Sequence, residues 1–308
     1  MKKIIALFLV LLLFCGCGQS EKTDKKLDIS VTLFPQYDFL RHIAGDKAEI
    51  TLLLPPGMES HNFEPGVGDI KKIAESDLFV YTGAQMEPWA ETILDGIDSK
   101  AKILDASINI ELCADEHNHD HQHHDHHDHH EDPHVWTSPK NALIMAENIL
   151  NALCEIDEEN SFYYKENAEK YFLQLKELDE EFTSLSEKTK GITLCHGGKF
   201  SMKYLERDYG FEFLAAYDSC SSFAEPSAMR VKEIIDTVKK ENLKGVFKEE
   251  LNDGRIAQTI ATETQVDVFL LHTCHNLSKE DFLLGKTYVS LMKQNAESIR
   301  KVTENAES

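Results

Sequence analysis

No Cys-x-x-Cys pair occurs among the 7 cysteines, which removes the ligand spacing of a structural zinc finger. No Gly-x-Ser-x-Gly occurs either, so the strained turn that presents a hydrolase nucleophile is missing. Positive charge is scarce: 32 Lys and Arg stand against 54 Asp and Glu, a formal net charge of -22. That balance disfavours nucleic acid and anionic membrane surfaces as partners and suits cationic ligands. The apolar run at residues 4–14 is eleven residues long and follows Lys2 and Lys3. A membrane-spanning helix needs roughly 20 such residues, so this run reads as a signal peptide.

What is present begins right after it. Gly16-Cys17-Gly18-Gln19-Ser20 resembles a bacterial lipoprotein cleavage site, with Phe14 where leucine is usual. The resemblance implies loss of residues 1–16, a lipid on Cys17, and a tether over residues 17–27. An ordinary signal peptide with cleavage nearby is the alternative. In both cases the protein is exported. It is then anchored to the outer face of the cytoplasmic membrane, or periplasmic if there is an outer membrane. The 308 residues, 42% of them hydrophobic, are enough for two domains with real cores.

Beyond the tether, short β-rich runs alternate with helical patterns. ISVTLF precedes QYDFLRHIAG, EITLLLPPG precedes VGDIKKIAES, DLFVYTG precedes EPWAETILDGI, and AKILDAS closes the series. Strands separated by helices of roughly ten residues predict a parallel sheet of βα units, here a lobe over residues 28–157. SPKNALIMAENILNALCEI reads as a helix, with Ser138 as its cap and Pro139 in its first turn. Over residues 158–189, Tyr164, Ala168, Tyr171, Leu175, Leu178, Phe182 and Leu185 recur three or four apart among Glu, Lys, Asp and Gln. This predicts one long amphipathic helix. At 1.5 Å per residue it would run roughly 45 Å, enough to lie along both lobes as a connector; a coiled-coil strand is the alternative. The βα scheme resumes over residues 190–308, with ITLCH, FEFLAAY, GVFKEE and DVFLLH as strands. The expected fold is therefore α/β: two lobes, each with a mostly parallel central sheet flanked by helices, joined by one long rigid helix.

In open α/β sheets, ligands sit beyond the carboxyl ends of the strands. Four isolated histidines fall at such places. His61 follows ITLLL through PPGMES, His134 stands in DPHVW before a helix, His196 ends ITLC, and His272 ends DVFLL. Pro133 fixes the backbone before His134, and Asp132 can orient its imidazole. Two glycines after His196 let backbone approach closely. His275, three residues beyond His272, competes with it for the role. A cleft between the lobes would gather these residues.

GMESHNFEP, DPHVWTSP and HGGKFSMKYLERDYG, in that order, resemble the three signature segments of the bacterial zinc/manganese solute-binding lipoproteins that serve ABC importers (the ZnuA/TroA-like cluster). The resemblance covers nearly the whole chain. It implies three histidine ligands at His61, His134 and His196. The family's fourth ligand is usually Asp or Glu, or a water completes the shell. Here FLLHTCHNLS puts His272 in that segment, with Glu59 and His275 as alternative ligands. The resemblance also implies a monomeric, non-enzymatic receptor that hands its metal to a permease and its ATPase, with loop or lobe shifts smaller than a hinge closure.

Three or four neutral imidazoles favour Zn(II), while Mn(II) prefers more oxygen. The dense run His117, His119, His121, His123, His124, His126, His127, His129 and His130 lies in an insert over residues 114–131. It is interleaved with acids and lacks the fixed spacing of a rigid site. It reads as an auxiliary loop that captures or senses zinc beside the cleft; a solvated insert with no transport role is the alternative. Cys220 and Cys274 each follow a strand of the second lobe and are the expected disulfide pair. A secreted zinc enzyme, or a surface metal buffer or adhesin without transport, are the competing functions. A fourth histidine would close the shell, which suits carriage and not hydrolysis.

Overall fold

The protein is described by a computed structural model over residues 25–60, 63–114, 131–217, 225–304 and 306. Residues 1–16, Cys17, His61, Cys220 and the histidines from His117 to His130 lie outside these residues. Among the described residues no helix is long and apolar enough to cross a membrane.

The first lobe runs β1 (Leu27–Val31), α1 (Phe34–Ala44), β2 (Ala48–Leu52), α2 (Val67–Glu75), β3 (Leu78–Tyr81), α3 (Pro88–Gly96) and β4 (Lys102–Asp105). Its strands are all parallel, in the order β2-β1-β3-β4. A short antiparallel ribbon follows, pairing β5 (Cys113–Ala114) with β6 (Glu131–Asp132), and then α4 (Pro139–Ile156). Ser138 stands at the N-cap of α4 as expected, but its side chain makes no cap bond.

The connector is α5 (Ser161–Lys188). All seven residues of its predicted stripe are buried. Each large apolar side chain so buried contributes on the order of 1.5–3 kcal/mol. The stripe packs on α1 and α4 on one side and on the C-terminal helix α10 (Tyr288–Thr303) on the other, which excludes the coiled-coil alternative.

The second lobe runs β7 (Thr193–His196), α6 (Lys203–Tyr209), β8 (Glu212–Ala215), α7 (Ala228–Lys240), β9 (Gly245–Lys248), α8 (Arg255–Thr264), β10 (Asp267–Leu270), α9 (Lys279–Leu283) and α10. Its parallel order, β10-β9-β7-β8, is the same 2-1-3-4 winding as in the first lobe. Each sheet therefore reverses direction once, between β1 and β3 and between β7 and β9. Ligand crevices form beyond the carboxyl ends of strands at such reversals.

The lobes are stitched together by polar bonds as well as by α5. Asp38 of α1 is fully buried and accepts from the backbone N–H of Tyr288 (2.9 Å), the Tyr171 hydroxyl (3.1 Å) and Arg41 Nε (2.7 Å). The segment 272–277, which follows β10, is tied to the first lobe at several points. Phe34 N–H donates to the His275 carbonyl (3.2 Å) and Gly57 N–H to the Leu277 carbonyl (2.7 Å). The Asn276 amide donates to the carbonyls of Pro55 (2.9 Å) and Met58 (2.8 Å).

Of the expected Cys220–Cys274 pair, only Cys274 lies within the described residues. Cys274 is a free, fully buried thiol whose Sγ lies 3.7 Å from the His272 carbonyl. Its backbone takes the left-handed region, φ 64.

Candidate metal centre

Where the two lobes meet there is a cavity of about 250 Å3. Glu59 comes to it from the loop after β2, and His134 from the loop before α4. Lys199 and Ser201 follow β7, Glu249, Glu250 and Asp253 follow β9, and Thr273 and His275 follow β10. The carboxylates outnumber the single lysine, so the cavity favours a cation.

His134 is almost completely buried, at 1% exposure. Both its backbone N–H (2.8 Å) and its Nδ1 (2.9 Å) point at Asp132 Oδ1. Burial alone would raise the Asp132 pKa, but the His134 charge and hydrogen bonds outweigh it and hold the carboxyl below its usual range. An ionised carboxylate only accepts, so Nδ1 carries the proton and Nε2 keeps the ligating lone pair. Asp132 is itself fixed by the ribbon β5–β6 and by the Tyr204 hydroxyl, which donates to its carbonyl (2.6 Å). The letters HEDPH at residues 130–134 match the His-Glu-x-x-His of helical zinc hydrolases. Here Glu131 and Asp132 form a strand and Pro133 follows, so the pattern does not lie on one face of a helix.

His275, 6% exposed, reaches the same tautomer by a longer route. Glu250 accepts from the backbone N–H of Thr273 (2.8 Å) and from the Thr273 hydroxyl. Burial pushes the Glu250 carboxyl up, but the charges of His272 and His275 and the Thr273 bonds outweigh it, and the net shift is downward. The hydroxyl has one proton, and the ionised carboxylate takes it. The Thr273 oxygen then accepts from Nδ1 of His275. Nε2 of His275 holds the lone pair, 3.6 Å from Glu59 Oε1.

His196 and His272 are held the other way round. Nδ1 of His196 accepts from Gly198 N–H (3.1 Å), and Nδ1 of His272 accepts from Cys274 N–H (2.9 Å). In the neutral ring the proton is then on Nε2. His196 stays neutral because burial lowers its pKa, against the opposing pull of Glu249. His272 Nε2 is buried with no hydrogen-bond partner among the described residues, and neither His196 nor His272 is on the cavity wall. His272 is pinned instead to α10, through its N–H to Asn295 Oδ1 (2.6 Å) and its carbonyl to Asn295 Nδ2 (2.8 Å). Among the described residues no three His, Cys, Asp or Glu side chains are drawn up around one point at metal-ligand spacing.

The two glycines after His196 are required by close approach. A Cβ on Gly197 would lie 2.5 Å from the backbone of Ala257 in α8, and one on Gly198 would lie 1.6 Å from Glu249 Oε2. Sequence reasoning missed Glu249, Glu250 and Thr273. The first two close the run GVFKEE at the carboxyl end of β9, so their strand-end position was the available signal.

The two-lobed parallel α/β fold thus holds an acidic, histidine-bearing crevice between its lobes. The family model described as ZnuA, zinc-uptake complex component A, periplasmic, matches residues 29–302, and the chain belongs to that family. It is 34% identical over 312 residues to the zinc-binding lipoprotein AdcA of Streptococcus pneumoniae, covering 99% of this chain but only 62% of AdcA. It is 31% identical over 307 residues to the high-affinity zinc uptake system protein ZnuA of Bacillus subtilis, covering 96% of this chain and 95% of that protein. The crystal structure of the Zn(II)-bound ZnuA-like domain of S. pneumoniae AdcA superposes with a TM-score of 0.75 at 30% identity, over 91% of this chain and 99% of that one.

Proposed function

We propose that the protein is an extracytoplasmic receptor that captures Zn(II) in the inter-lobe cavity and delivers it to the permease and ATPase of an ABC importer. The observation that carries this reading is the matched state of His134 and His275. Each has Nδ1 protonated through a carboxylate-linked acceptor, and each borders the same acid-lined cavity with Nε2 as its ligating atom. His196 joins them by giving up its bond from Gly198 N–H, so that its proton sits on Nδ1 and Nε2 is free to ligate. The fourth imidazole is His61, which follows the cavity residue Glu59 by two positions. His275 is preferred over His272 because it borders the cavity and has the ligating tautomer. Four imidazoles suit Zn(II) over Mn(II).

The named relatives support zinc as the cargo, and the lipoprotein AdcA supports a lipid-anchored location; the sequence around Cys17 makes it the anchor in this reading. The histidine run at 117–130 gathers zinc for the cavity. The ribbon β5–β6 joins the two ends of that insert, and its residue Asp132 orients His134.

The test is zinc stoichiometry and affinity in chelator competition, for the whole protein and for a form lacking residues 117–130. One tight ion should remain after the deletion. His134→Ala and His275→Ala should each abolish tight binding, while His272→Ala should leave one tight ion. Loss of the tight ion on deleting 117–130 would overturn the division of labour. Normal growth of a null strain in zinc-depleted medium would overturn the import role.

A further inference from the structure

Glu249 is a carboxylate that the imidazole set does not account for. It stands at the end of β9, beside the switch point of the second sheet, and is only 8% exposed. One oxygen is well served: Oε1 accepts from Asn252 Nδ2 (2.7 Å) and from the Lys199 backbone N–H (3.3 Å). The other, Oε2, is buried with no hydrogen-bond partner among the described residues. A buried carboxylate oxygen without a donor is costly and calls for a cation or a donor.

Its surroundings are built around that oxygen. Gly198 makes room for it, since any side chain there would collide with Oε2 at 1.6 Å. Gly198 also donates to His196, so the carboxylate sits beside a proposed ligand, and its charge opposes the burial-driven fall of the His196 pKa. Glu249 shares the cavity wall with His134 and His275.

We propose that Glu249 is a direct carboxylate donor to the bound metal through Oε2, a fifth donor that expands the four-imidazole set. This rests on the reading of the cavity as the metal site. An anionic oxygen among imidazoles offsets part of the dication's charge. It also broadens the donor set toward cations that prefer oxygen.

The test uses the full chain loaded with Zn(II), or with Co(II) as a spectroscopic substitute. Glu249→Gln removes the charge and keeps the shape. It should weaken zinc binding by about 10–100-fold, and the visible d–d bands of the Co(II) form should change in position and intensity because a ligand is lost. Gly198→Ala should do the same by displacing the carboxylate. Melting of the metal-free variants checks the fold. If E249Q does not fold, Glu249→Asp, which keeps the charge and shortens the arm, is read by the same two measurements. Zinc affinity within about twofold of the wild type overturns the proposal, and so does weakened affinity with unchanged Co(II) bands. If the wild-type protein itself takes up no zinc, the metal-site reading fails as a whole. If it binds and E249Q matches it, only Glu249 is lost.

Discussion

The Trp136 indole N–H donates to the carbonyl oxygen of Thr273 at 2.8 Å, joining the loop that carries His134 to the loop that carries His275. The Tyr288 hydroxyl closes the arrangement from α10, donating to the Trp136 carbonyl at 2.6 Å. The two imidazoles with the ligating tautomer are thus held by one buried frame, although they come from different lobes. The segment 272–277 belongs to the second lobe in sequence but is hydrogen-bonded to the first. Its position relative to His134 is therefore fixed by bonds within the protein itself.

That frame can be loosened selectively. Asn276→Ala removes two side-chain bonds to the Pro55 and Met58 carbonyls and leaves both acceptors facing a gap. Stability should fall by about 1–3 kcal/mol. Urea denaturation of the metal-free protein measures this, and an unchanged midpoint would show that the stitch is dispensable.

The tautomer of His275 depends on a hydroxyl two residues away. Thr273→Val keeps the shape and removes the link between Glu250 and Nδ1. Zinc affinity should drop by about 10–100-fold, and Thr273→Ser should restore most of it. Chelator competition on the three proteins decides; a valine variant with wild-type affinity would show that His275 needs no such partner.

Glu87 gives a pH signature away from the metal. It is buried at the switch point of the first sheet, where it meets the Thr32 hydroxyl and the Thr82 N–H (3.0 Å), and burial pushes its pKa up to about 8. Its pKa in the unfolded chain is near 4.5. Between these values the folded state holds a proton that the unfolded state has released. The stability contribution is therefore full below about 4.5, declines as pH rises through this window, and levels off above about 8. Metal-free protein should melt at a lower temperature at pH 8.5 than at pH 6, and Glu87→Gln should flatten that dependence. Equal slopes for the two proteins would assign the dependence to other groups.

Protons and zinc compete for the same imidazole lone pairs, so affinity should fall as pH drops from about 7.5 to 5.5, across the ordinary histidine range. His196, whose pKa burial lowers, should be the last of the ring ligands to be protonated. Calorimetric titrations at several pH values test this; a flat affinity would mean that histidines do not dominate the site.

Much of this molecule was legible in its sequence because local periodicity is enough to specify it. The alternation of β-rich runs with helical stretches predicted both parallel sheets. The stripe from Tyr164 to Leu185 predicted α5, because a helix repeats every 3.6 residues and must bury one face. The placing of His134 and His196 beside strand ends was also visible, since sheets of this kind bind at those ends. The partnership of Asp132 with His134 could be read from two residues of separation.

Only the tertiary structure distinguishes the surroundings of His272 from those of His275. Both stand in one short segment, and their spacing cannot tell which ring holds its proton on Nδ1. That depends on Glu250, brought from a neighbouring strand, and on which way the Thr273 hydroxyl points. The free thiol of Cys274 and the unserved oxygen of Glu249 were hidden for the same reason. Sequence sets the periodicities that build the lobes, whereas protons, lone pairs and burial at the site are set by neighbours that only the folded chain brings together.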